Sequence, residues 1–118
     1  MQLLDQIMYL EQILDQLKDR YLTNERPENK RDPQFFQVVK ERTNPIFEQI
    51  DEWYSSALLF IKKREVQVHP QQLQSTEENL KLLLLHSYYI DVRKKRYMEL
   101  YQSVKYVFDL LKKDINKY

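Results

Sequence analysis

Four consecutive cations, Arg93, Lys94, Lys95 and Arg96, are the residues of this chain whose type and spacing best suit binding. A cluster of this sign would recognise a phosphate, a nucleic-acid backbone or an acidic protein surface. The run falls where one helical pattern ends and the next begins. If Asp91 caps the last helix, the cations occupy its first turn, where the helix dipole favours anions instead. Compensation must then come from acidic residues of an earlier loop, such as Glu25, Glu28 and Asp32, from the end of the preceding helix, or from an anionic partner. Just before the run, Tyr88 and Tyr89 are adjacent and cannot both face one core line. One of them, with an off-seam leucine and Tyr106, is a candidate for an exposed patch that meets a partner protein or a second copy.

Other chemistry finds little support. His69 and His86 are the only histidines. Bundle metal sites place Glu three residues before His, but Val66 and Leu83 stand there. Arg64 and His69 have the arginine, four residues, histidine spacing of small helical ribonucleases, yet Pro70 disfavours a helical His69. The chain contains no Cys, which excludes disulfides, thiolate metal sites and thiol catalysis. It also contains no Gly, where average usage would give about eight. Nucleotide-binding loops and the nucleophile elbow need that residue at fixed positions, and tight hairpins are disfavoured without it. We therefore expect no catalytic residue, no cofactor and no metal.

The elements that must position the basic run are helical. Leu3, Ile7, Leu10, Leu14, Leu17 and Tyr21 alternate spacings of four and three, the seam of a helix packed on near-parallel neighbours, and Leu4, Met8 and Ile13 widen it. Residues 23–32 are polar and contain Pro27, which reads as a loop. Asp32 followed by Pro33 is a good helix start. The second series, Phe36, Val39, Thr43, Ile46, Ile50, Trp53, Ala57 and Phe60, keeps register through Pro45. That continuity favours one long helix kinked near Thr43 to Pro45 over two helices. After Lys62, Lys63 and Arg64, residues 65–70 form a short extended connection, and Pro70 opens the third helix. This helix uses Leu73, Leu80, Leu83, Leu84, Ser87 and Ile90; because Leu82 to Leu85 cover every face of one turn, at least one lies off the seam. The last helix carries Tyr97, Tyr101, Val104, Phe108, Leu111 and Ile115. Charge is unevenly spread: residues 1–22 and 66–91 each sum to −2, and residues 92–118 to +5. The simplest reading is that acidic and basic helices complement each other within one bundle.

Phe35 and Phe36, Trp53 with Ala57, Leu58 and Ile61, and Val68, His69 and Gln72 resemble the YppE-like family of small bacterial proteins of uncharacterised function. The likeness is strongest where Leu85, Ser87, Tyr88, Lys94, Lys95, Arg96, Tyr97, Ser103 and Tyr106 stand, and it covers residues 34–112. It implies a four-helix bundle and brings no activity, ligand or catalytic residue.

The expectation is thus an all-α, antiparallel up-and-down four-helix bundle, with residues 1–118 forming a single domain. The opening residues, interrupted by Asp5 and without a basic leader, do not read as a secretory signal, and no apolar run approaches a membrane span. A cytoplasmic location is expected. By function, we expect a non-enzymatic module that contacts another protein through Tyr88 or Tyr89, as a monomer or weak homodimer. The alternative is nucleic acid or another polyanion bound at Arg93–Arg96.

Overall fold

A computed structural model describes residues 2–118, and four helices account for most of them: α1 (Gln2–Thr23), α2 (Pro33–Lys62), α3 (Pro70–Tyr89) and α4 (Lys94–Lys117). Asp32 caps α2 as its sequence predicts, its carboxylate accepting the Gln34 N–H at 3.0 Å with Pro33 at the first helical position. The helix then runs 30 residues without interruption through Pro45. Glu41, Asn44 and Pro45 are all on the exposed side. Water can therefore satisfy the carbonyl that proline leaves without a donor, while the inward seam stays in register. The alternative of two separate helices is thereby set aside.

Successive helices run antiparallel, joined by the connections 24–32, 63–69 and 90–93. Contacts along their length fix this sense. Glu11 and Asp15 of α1 meet Lys112 and Tyr101 of α4, and Asp51 of α2 meets Lys81 of α3. The acidic first helix and the basic last helix do complement each other, since the Glu11 carboxylate accepts from both Lys105 and Lys112 at 3.0 Å. The cross-section is a rhombus. Helices α1 and α3 touch across its short diagonal, whereas no Cα pair of α2 and α4 comes within 8 Å among the described residues. Large aromatic side chains fill the wide diagonal, with Trp53 of α2 edge-on to Phe108 of α4 at 5.3 Å between ring centroids.

The first seam is buried along its whole length, from Leu3 to Tyr21. Elsewhere single positions depart from it. Met8 and Phe36 were expected inside but are about half exposed, because α1 and α2 each bury a narrower stripe than their apolar residues would fill. Ile90 leaves the seam to close α3, and Tyr101 is half-buried so that its hydroxyl can donate to Asp15 at 2.7 Å. Leu100 and Val107 enter the core beside the predicted series.

Tyr97 is fully buried, stacked on Tyr21 at 4.0 Å, with its hydroxyl 2.7 Å from that of Ser87. Burial pushes its phenol up to about 12. Tyr101 is raised to about 12 as well, by burial and then by the Asp15 carboxylate that its hydroxyl serves. Both groups lose protons more readily in the unfolded chain, so the unfolded state binds fewer protons above pH ~10 and stability falls as pH rises from there towards 12. Urea titrations across pH 9–12 should show that decline, and it should be shallower in Tyr97→Phe/Tyr101→Phe.

Candidate functional site

The basic run stands at the end of the bundle where α3 passes into α4. With no glycine in the chain, Ile90 itself takes the left-handed conformation that ends α3, at φ 50° and ψ 46°, with its N–H donating to the His86 carbonyl. For a β-branched residue this conformation costs on the order of 1–2 kcal/mol. Contacts from α1 and the loop after it hold the strained link in place. The Tyr21 hydroxyl donates to the Val92 carbonyl at 2.6 Å, Arg26 Nε donates to the Ile90 carbonyl at 3.0 Å, and Lys30 pairs with Asp91 at 3.1 Å.

Asp91 does not cap α4. Its carboxylate is taken by His86 Nδ1 at 2.7 Å and by Lys30, and Arg93 occupies the cap position without a side-chain bond. Burial pushes the Asp91 carboxyl up, but the hydrogen bonds from His86 and Lys30 outweigh it and hold the group below the usual carboxylate range. His86 is thus part of a loop clasp. Among the described residues no three His, Asp or Glu side chains converge as a metal site requires.

Lys94, Lys95 and Arg96 form the first turn of α4, with no acidic residue among them. The cations therefore do not finish α3, and the acidic loop does not neutralise them. All four are exposed and none makes an ion pair among the described residues. The loop turns Arg26 and Lys30 towards this link, where Arg26 meets the Ile90 carbonyl and Lys30 pairs with Asp91. Charge complementarity between α1 and α4 reaches Lys105 and Lys112 and stops short of the basic run.

The tyrosines divide. Tyr88 points into the bundle at 8% exposure, with the Arg20 guanidinium over its ring at 4.2 Å, so it is a core residue and cannot serve as a surface contact. Tyr89 is half-buried, edge-on to Phe35 at 5.4 Å. Of the four leucines, Leu83 and Leu84 are inside while Leu82 and Leu85 are about 40% exposed. Leu82, Leu85 and Tyr89 thus form one stripe along the outer face of α3, running towards the basic corner. Tyr106 is exposed as well, but it stands on α4, where it borders a shallow depression with Glu99, Gln102, Ser103 and Val107 of the same helix.

The opposite end holds a feature that seam counting does not find, a groove of about 810 Å³ between the end of α2 and the connection 63–69. Its one warning in the sequence is the apolar run Ala57 to Ile61, which is too wide for a single seam. The α2–α3 connection owes its shape to Asp114 of α4. This carboxylate, 2% exposed, accepts the Gln67 N–H through both oxygens and the Val68 N–H through Oδ2, at 3.0–3.2 Å. Arg64 borders the groove, but its Nη1 donates to the Phe60 carbonyl and its guanidinium lies over the Phe60 ring at 4.3 Å. His69 starts α3, its backbone N–H donating to Gln72 Oε1. No hydrogen bond joins Arg64 and His69, so the ribonuclease-like spacing is not realised as a hydrogen-bonded pair.

Residues 7–115 match the family described as a bacterial domain of unknown function, DUF1798. The chain belongs to this family. A relative of similar size is the "Uncharacterized protein YppE" of Bacillus subtilis (strain 168), 28% identical over 114 residues, spanning 96% of this chain and 91% of YppE. The crystal structure of B. subtilis YppE superposes with a TM-score of 0.84 at 26% identity, over 98% of this chain and 94% of the other. Its solution NMR structure gives 0.77 at 26% identity, over 99% and 94%. This chain therefore shares the fold of YppE, which agrees with the resemblance drawn from its aromatic and basic residues. No helix among the described residues is long and apolar enough to cross a membrane.

Proposed function

We propose that this protein is a non-enzymatic module of the bacterial cytoplasm that acts by contacting another protein. The observation that carries the reading is the stripe of exposed Leu82 and Leu85 with half-buried Tyr89 on α3, which leads into four cations without ionic partners among the described residues. Apolar side chains flanked by charge are the make-up of a protein contact with a hydrophobic centre and a polar rim. A second reading is supported by the cations alone: Arg93–Arg96 bind nucleic acid or another polyanion, with the helix dipole of α4 adding to the attraction.

One experiment separates the two. The tagged full chain is used to capture partners from native lysate, with and without nuclease, beside Leu85→Glu/Tyr89→Ala and a variant with Arg93, Lys94, Lys95 and Arg96 all changed to Glu. A protein that survives nuclease, and that the Leu85→Glu/Tyr89→Ala variant loses at least tenfold, supports the protein contact. Recovery of nucleic acid, lost on charge reversal and falling with salt on a log–log slope between about −3 and −4, supports the second reading instead. Capture unaffected by either variant removes both.

A further inference from the structure

The groove at the far end of the bundle is built like a site for a single-chain amphiphile. Its floor is Ile61 and Val68, both under 10% exposed, and half-buried Leu58 and Val66 form its walls. Leu59 stands at the rim with 61% of its surface exposed. A volume of about 810 Å³ lies within the few hundred to one thousand Å³ typical of small-molecule sites, which are mostly apolar with a few polar groups that orient the ligand.

The charged residues of the lining are not mutually neutralised. Lys62, Arg64 and Glu65 line the groove, and none of them forms an ion pair among the described residues. Their formal charges leave one net positive charge, which matches a monoanionic head better than a dianionic phosphate monoester. The Arg64 guanidinium is held by the Phe60 carbonyl and the Phe60 and Tyr118 rings, which do not line the groove, so Lys62 is the lining cation left free to meet a head group. The wall opposite α2 is equally fixed, since Asp114 and the Tyr118 hydroxyl occupy the N–H groups of Glu65, Gln67 and Val68. A partner strand therefore finds no free donors at those three residues. A ligand that needs only apolar cover and one cation does not require them.

We propose that this groove binds a free long-chain carboxylate, its chain over Ile61 and Val68 and its head at Lys62. The probe is monomeric dodecanoate, titrated calorimetrically into the full chain, with dodecyltrimethylammonium as the same chain under the opposite charge. Saturable one-to-one binding of dodecanoate is expected, at least tenfold weaker in Leu59→Glu, severalfold weaker in Lys62→Gln, and at least tenfold weaker for the cationic probe. Leu59 is mostly exposed, so its replacement leaves the bundle folded, as circular dichroism will verify. Non-saturating uptake, equal binding of both head groups, or indifference to Leu59→Glu overturns the proposal. So does a response to phosphatidylglycerol vesicles without one to monomeric dodecanoate, which would make the face a membrane contact. Concentration-dependent dimers lost in Leu59→Glu, without dodecanoate binding, would assign the groove to a second copy.

Discussion

Trp53→Ala should cost about 3–5 kcal/mol and lower the thermal midpoint by roughly 10–20 °C. Trp53 is fully buried, and with Phe108 it fills the wide diagonal between α2 and α4. Truncation there leaves a cavity that the bundle cannot close cheaply, because α1 and α3 already touch across the short diagonal and would have to part. Small domains hold only about 5–15 kcal/mol in total, so the loss is a large fraction of the whole. Trp53→Phe should cost much less. The indole Nε1 has no hydrogen-bond partner among the described residues, so phenylalanine removes an unsatisfied donor along with part of the volume. Urea unfolding followed by far-UV circular dichroism measures both variants. A loss below about 1 kcal/mol for Trp53→Ala would show that the aromatic pair does not set the width of the bundle.

Asp114→Ala should destabilise the fold by about 3 kcal/mol, a large effect for a polar residue near a helix end. Two backbone N–H groups, of Gln67 and Val68, lose their charged acceptor, and Val68 is itself buried. Asp114→Asn keeps one carbonyl oxygen but turns N–H donors towards donors, so it should recover only part of the loss. Hydrogen exchange distinguishes this local clamp from a general weakening. In Asp114→Ala the Gln67 and Val68 amides should exchange at least tenfold faster relative to those of the α1 seam. Uniform acceleration throughout the chain would mean that Asp114 supports the core and does not hold the connection. A carboxylate in the last turn of a helix opposes the dipole, and on local grounds alone α4 would be better without it. The favourable term is tertiary, and it shapes the groove wall.

The same division runs through the candidate sites. That Tyr88 and Tyr89 could not share one core line followed from helical spacing, but which one faces inward depended on where α1 lies, since Arg20 of α1 covers Tyr88. The basic run was visible as four letters in a row. Its lack of neutralising partners was not, because Glu25, Glu28 and Asp32 are near enough in composition to have served. Asp91 looked like a cap by position; His86 and Lys30 took its carboxylate, and Lys30 is 61 residues away in the chain. Register through Pro45 was enough to predict a single α2, because a helix keeps its seam only if it is continuous.

What the sequence determined by itself is what depends on neighbours a few residues apart. Apolar spacing set the helices and their inward faces, the Asp32–Pro33 pair set the start of α2, and the absence of cysteine left these residues no thiol and no disulfide. Tertiary structure decided whatever joins positions far apart in the chain. It made the short diagonal between α1 and α3, brought Asp114 to the α2–α3 connection and left Arg93–Arg96 without ion pairs among the described residues. It also forced Ile90 into a left-handed turn that glycine would adopt at little cost, since Arg26, Lys30 and Tyr21 hold the link where the packed helices require it. Periodicity records which face of a helix is buried, but ion pairs, clamps and grooves depend on which helix lies opposite, and that is fixed only when the faces pack.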